Sequence, residues 1–297
     1  MNIVKQRSVW FWVSGILVAA SLLSVAVWGL NFGIDFTGGS LLEVQLEQQP
    51  QAGDIRATLE EAGFSGISVQ ASDSSTLVRS VSLSEEEHLR MVETLSTKFG
   101  QAEELRFDSI GPVIGKELQT GALYAVALTL LLIGLYIAWA FRKVSEPVAS
   151  WKYGFLTIFA AFHDVIITIG VFSVLGHFMG WEVGTTFVAA ILTILGYSIN
   201  DTVVVFDRTR ENLKLRIGET FGDTVETSIR QTFTRSVFTS LTTLLALVAI
   251  FVFGGETTRS FAFALIVGIT VGSYSSIFLA STLLVTWEEW RNKRVRS

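Results

Sequence analysis

Cysteine is absent from this chain of 297 residues, which excludes disulfides, thiolate metal sites and thiol nucleophiles. Proline occurs three times, at Pro50, Pro112 and Pro147, and histidine three times, at His88, His163 and His177. Charged residues make up only 16% of the chain while 50% is hydrophobic, a balance outside that of soluble globular domains. The excess of apolar residues is gathered in long runs. Val9 to Leu30, Thr120 to Phe141, Gly154 to Phe178, Val183 to Phe206, Ser236 to Phe253 and Ser260 to Trp287 are each near the roughly 20 residues that a bilayer core demands. The pattern predicts a polytopic α-helical membrane protein with six transmembrane helices.

No proline falls inside a run, so no backbone donor is lost within a span. All eight tryptophans lie at or just beyond a run's end, as headgroup-level anchors do. Short-loop Lys and Arg set the expected orientation. Lys5 and Arg7 precede the first run; Arg142, Lys143 and Lys152 join the second to the third; six basic residues from Arg208 to Arg235 join the fourth to the fifth. Arg291, Lys293, Arg294 and Arg296 close the chain, whereas the opposite turns carry only Arg259. Both termini are therefore expected in the cytoplasm. The first run follows a short basic start but is too long for a signal-peptide core, and reads as an uncleaved anchor.

Three segments follow: residues 1–39, the N-terminus with the first helix; 40–117, a soluble insertion; and 118–297, the remaining helices. Leu41 to Leu46 alternates as a strand, and Asp54 to Ala62 is helical. Ile67 to Ala71 and Thr76 to Val81 pair across Ser72-Asp73-Ser74-Ser75. Ser84 caps a helix whose apolar positions are Leu89, Val92, Leu95 and Phe99, and a last strand covers Ala102 to Ile110. The order is βαββαβ, predicting an α+β domain of ferredoxin-like type on the periplasmic side. On the cytoplasmic side, the stretch about 207–235 mixes apolar and charged residues. It reads as one or two amphipathic helices at the membrane surface.

Chemistry concentrates in a few polar residues at membrane depth. Asp164 lies near the middle of the third helix, Asp201 in the cytoplasmic-side part of the fourth, and Arg235 at the entrance of the fifth. An acid at a helix centre costs about 2.5 to 3.5 kcal/mol on insertion scales, so it marks a partner, a cavity or an ion path. A carboxyl that faces a cation in one state and an apolar wall in another exchanges a proton, which makes Asp201 with Arg235 a candidate proton site. A fixed ion pair that only orients helices is the plainer reading. Asp164 and Asp201 sit on consecutive helices and could approach one another. Asn200 and Ser198 supply supporting polar groups, and His163, beside Asp164, is a candidate relay. Gly33, Asp35, Gly38 and Gly39 form a turn where the first helix meets the insertion, a candidate hinge. No metal-ligand cluster and no nucleic-acid signal is present.

Three motifs extend this reading: FGIDFTGG ending at Gly39, AFHDVIITIG at Ala161 to Gly170, and GYSINDTVVVFDRTREN at Gly196 to Asn212. In this order they resemble the signatures of the SecF family, the smaller membrane subunits of the bacterial SecD–SecF protein-export complex, of the resistance-nodulation-division superfamily. The resemblance implies a subunit of the bacterial inner membrane that pairs with SecD beside the SecYEG channel, with YajC as a further partner. It implies use of the proton-motive force, without any other cofactor, to draw unfolded substrate protein outward. By motif position Asp201, Arg235 and Asp164 would take part in proton movement, without covalent catalysis. The alternatives are half of a small-molecule or lipid exporter of the same superfamily, and an intramembrane aspartyl protease built on Asp164 and Asp201.

Overall fold

A computed structural model describes residues 2–48, 50–71, 75–142 and 148–296, with the side chains of Ala71, Glu256, Thr257, Asn292, Val295 and Arg296 left aside. Residues Ser72 to Ser74 of the expected turn, Lys143 and Pro147 lie outside the described residues. The chain divides into two compact units. One is helical and comprises residues 1–30, 124–181 and 186–297; the other comprises 31–123 together with 182–185.

The helical unit contains spans α1 (Arg7–Trp28), α6 (Ser150–Met179), α7 (Thr185–Lys214) and α8 (Phe221–Phe253). The last span is composite, α9 (Glu256–Tyr274) running through a π-helical turn at Ser275–Ala280 into α10 (Ser281–Arg296). With α5 (Pro112–Ala140), which starts in the inserted domain, six helices are long and apolar enough to cross a membrane. α6 is among the most enclosed of them and α5 the least. Small residues allow that enclosure. Gly170 of α6 lies against Ser21 of α1, whose neighbour Ser24 donates to the Gly170 carbonyl at 3.1 Å. Without a hydrophobic drive between helices in lipid, such close backbone approach and interhelical hydrogen bonds supply the attraction.

Two boundaries differ from the sequence reading. α5 begins at Pro112 rather than Thr120, because proline at a first helical position sacrifices no bonded N–H; the limit drawn at residue 118 falls inside this helix. The stretch 207–235 does not form separate surface helices. α7 continues to Lys214 and α8 starts at Phe221, so the charged residues extend two spans and leave a turn of six residues, 215–220. Thr220 and Asp223 close a reciprocal capping box there. Asn212 Nδ2 donates to Ser228 Oγ and Gln231 Oε1, at 2.8 and 2.9 Å, fastening the two extensions together. Val205, Val225, Ile229, Ile277 and Val285 bury a common apolar core beside them.

The inserted domain has the expected order: β1 (Gly39–Leu46), α3 (Ala52–Glu61), β2 (Ser68–Ala71), β3 (Thr76–Ser80), α4 (Glu85–Phe99) and β4 (Ala102–Ile110), preceded by a single helical turn, α2 (Ile34–Thr37). The strands form one antiparallel sheet in the order β2-β3-β1-β4. Period-two alternation sends Leu42, Val44 and Leu46 of β1 to one face, where Ile55 and Leu59 of α3 and Met91, Leu95 and Phe99 of α4 cover them. Ser84 and Glu87 cap α4 reciprocally, as the sequence signature requires.

Leu95 is fully buried at the centre of this core. Leu95→Ala should destabilise the inserted domain by about 2 to 5 kcal/mol, the usual cost of a leucine-sized cavity. Protease resistance and hydrogen exchange of the domain in the purified protein measure the loss, and an unchanged profile would contradict the packing described.

Candidate functional site

α6, α7 and the π turn bring three hydroxyl-bearing helices around one acid. Asp164 of α6 is wholly buried, with Ser198 Oγ of α7 donating to its Oδ2 at 2.5 Å and Ser275 Oγ of the π turn donating to the same oxygen at 2.8 Å. His163 Nδ1 lies 2.9 Å from Oδ1. The π turn carries an extra residue per turn, so the consecutive Ser275 and Ser276 are both buried there. Ser276 Oγ donates to the Ser198 carbonyl at 3.1 Å and lies 2.7 Å from Thr202 Oγ1, which extends the polar seam one turn along α7. Gly272 makes the crossing possible: a Cβ there would lie 2.9 Å from that of Ser198. The His163 ring stands 6.5 Å from that of Tyr274, whose hydroxyl donates to the Trp10 carbonyl of α1 at 3.0 Å.

Asp201 is treated differently. It is buried on α7, yet its Oδ2 has no hydrogen-bond partner among the described residues. Its polar neighbours are Ser236, Ser240 and Arg235 of α8. Arg235 acts on it through space, because no ion pair joins the two among the described residues. Asp164 and Asp201 share no hydrogen bond either, each having its own neighbours. Asn200, next to Asp201, is exposed on α7 and makes no side-chain hydrogen bond among the described residues.

The glycine motif sits in the inserted domain. Gly38 has φ +73° and a Cβ there would sit 2.8 Å from Pro112 Cα; Gly39 has φ +130° and would meet the Ser80 carbonyl oxygen at 2.7 Å. Only glycine satisfies both the backbone angles and the contacts. Gly33 N donates to the Val183 carbonyl at 3.1 Å, and Val183 N donates to the Asn31 carbonyl at 2.8 Å. Asp35 Oδ2 accepts from Thr185 N and from Thr185 Oγ1, each at 2.6 Å, at the start of α7. Arg79 of β3 pairs with Glu182 at 2.5 Å. Burial holds the Glu182 carboxyl above its ordinary range against the pull of Arg79, and the charge of Asp35 adds in the same direction.

Sequence reasoning missed Ser275, Ser276, Arg79, Glu182 and Thr185. The hydroxyl-rich run from Ser273 to Thr282 was a signal for the first two, since hydroxyls gather at helix contacts in membranes. Nothing local marks the other three, whose partners are distant in sequence. Among the described residues no group of His, Asp and Glu has the form of a metal site.

The family profile described as "Protein export membrane protein SecD/SecF, C-terminal" matches residues 91–290, and that of the "SecD/SecF GG Motif" matches residues 24–50. A protein of Thermobaculum terrenum named Protein translocase subunit SecF is 40% identical over 301 residues, covering 97% of this chain and 94% of its own. One of the same name from Desulfurispirillum indicum is 43% identical, covering 93% of this chain and 88% of its own. The crystal structure of SecDF, a translocon-associated membrane protein from Thermus thermophilus, superposes with a TM-score of 0.86 at 38% identity. The match covers 97% of this chain but 39% of that longer one.

The hydroxyl cluster predicts a measurable coupling. Ser198→Ala should cost about 1 to 3 kcal/mol, because a buried carboxyl loses a donor, and most of that cost should vanish in an Asp164→Leu background. A double-mutant cycle on unfolding of the purified protein in detergent measures it; additive losses would contradict the contact.

Proposed function

We infer the function from one premise: the chain belongs to the SecD/SecF family of protein export membrane proteins. The reading is that of a SecF-type accessory subunit of the Sec translocase, which acts with SecD and uses the proton-motive force to promote protein export across the bacterial inner membrane. The observation that carries it is Asp201, a buried membrane acid with a free oxygen, near a cation that does not neutralise it by contact. A carboxyl so placed is unsatisfied in either charge state alone and suits proton exchange. Ser236 and Ser240 of α8 offer hydroxyls to it.

The site is unfinished within this chain. Asn200 exposes an amide inside an apolar span, and Arg235 is also exposed. An amide facing hydrocarbon is costly, so both groups suit a second polypeptide at this face. SecD is the partner that fits, with SecYEG and YajC as further contacts and an unfolded protein chain as substrate. The basic loops on the side of the termini favour a cytoplasmic location for both ends. Asp164, saturated by hydroxyls, holds α6, α7 and the last span together around the proton site and takes part in its charge balance.

Protons supply the work and no other cofactor enters. One charge crossing 100 mV releases about 2.3 kcal/mol, a bias of about 50-fold between two arrangements. Protonation at Asp201 shifts α7 against α8, and the inserted domain moves in response. No bond in the substrate is made or broken.

Membrane vesicles carrying the assembled complex test this. Asp201→Asn and Arg235→Ala should each lower gradient-stimulated export by about tenfold or more, since a lost charge movement forfeits most of that bias, while export driven without a gradient persists. Unchanged stimulation in Asp201→Asn would sink the reading.

A further inference from the structure

The sequence suggests a loose hinge at Gly33 to Gly39, and the contacts there describe something firmer. The four residues Glu182 to Thr185 lead from the α6–α7 connection into the first residue of α7, yet they belong with the inserted domain. Three independent fastenings hold it. Phe32 and Val183 form a parallel bridge, framed by the two backbone hydrogen bonds of Gly33 and Val183. The Asp35 carboxylate takes both the backbone and the side-chain donor of Thr185, at 2.6 Å each. The Arg79 guanidinium comes from the third strand to meet Glu182. The backbone is close-fitting as well: a Cβ on Gly184 would lie 2.6 Å from Asp35 Oδ2, and one on Gly33 would lie 3.1 Å from Glu182 Oε2.

Thr185 is the first residue of α7, the helix that carries Asp201 sixteen positions later. At 1.5 Å per residue, the acid lies about 24 Å along the helix from its first residue. An anionic cap also satisfies one of the backbone donors that a helix start leaves open, and opposes the positive end of the helix dipole.

We propose that Asp35, Arg79 and Glu182 are positioning residues that weld the segment leading into α7, the helix that carries Asp201, into the inserted domain. The proposal rests on the proton-coupled reading above. It replaces the free hinge by a permanent joint inside the inserted domain, seated on the glycine motif. Gly38 and Gly39 then serve close packing against Pro112 and Ser80, and bending occurs elsewhere. Half-buried ion pairs contribute little net stability, so Arg79 with Glu182 fixes geometry more than it strengthens the fold.

The test uses the assembled complex in vesicles, with export measured with and without a proton gradient. Asp35→Asn combined with Arg79→Gln should lower gradient-stimulated export by about fivefold or more, the scale of a typical coupling between sites, with gradient-independent export and protein level unchanged. The charge exchange Arg79→Glu with Glu182→Arg should restore part of the loss caused by Arg79→Glu alone. A merely structural role would depress both kinds of export together. Because the chain has no cysteine, Arg79→Cys with Glu182→Cys can be bridged by a short, reducible bifunctional thiol reagent. Bridging should preserve gradient-stimulated export, as a permanent joint requires. Loss on bridging, regained on reduction, would overturn the weld in favour of a clasp that opens. Full stimulation in Asp35→Asn with Arg79→Gln would overturn it too. Failure of the proton-coupled reading itself is distinguishable, because the unmodified complex would then show no stimulation lost in Asp201→Asn.

Discussion

A carboxyl group at membrane depth is costly unless it is satisfied, and the helical unit holds one acid that is saturated and one that keeps an unpartnered oxygen. Asp164 receives two serine hydroxyls and a histidine nitrogen. Holding those donors in place demands that α6, α7 and the last span meet closely, which Gly272 permits and the π turn completes. Asp201, one turn beyond Ser198 on the same helix, keeps an oxygen free. The first acid ties three helices together through its donors, while the second keeps an oxygen without a partner among the described residues. Local strain and unsatisfied groups persist only where the surroundings are over-determined.

The two ends of α7 then have opposite tasks. Its first residue is bound to the inserted domain through Asp35, and its last turns are bound to α8 through Asn212. Between them lies Asp201, facing α8. α7 contains neither proline nor an interior π turn to bend it.

Much of this was legible in the sequence, for reasons that are local. Hydropathy found six spans because a bilayer admits only long apolar helices or closed barrels. Alternation and the Ser84 cap found the βαββαβ order because period and capping are properties of short segments. Intramembrane charge singled out Asp164, Asp201 and Arg235 because such residues are expensive. Helix ends were less legible: charge after Phe206 suggested a surface segment, but Asn212 and the Thr220 cap carry the helices onward. The fastening of Arg79 to Glu182 was invisible, since it joins residues about a hundred positions apart that are each ordinary where they stand. The glycine motif was visible as a turn, while its packing role needed the neighbours supplied by Pro112 and Ser80.

Proton-driven export through this chain requires Asp201 to change protonation as the complex works. Infrared difference spectroscopy of the assembled complex, with and without an imposed proton gradient, reads it most directly. The account predicts a protonated-carboxyl band that appears with the gradient, shifts on aspartate isotope labelling and is missing in Asp201→Asn. A band that persists unchanged in Asp201→Asn, or no gradient-dependent carboxyl band in the active complex, would contradict it.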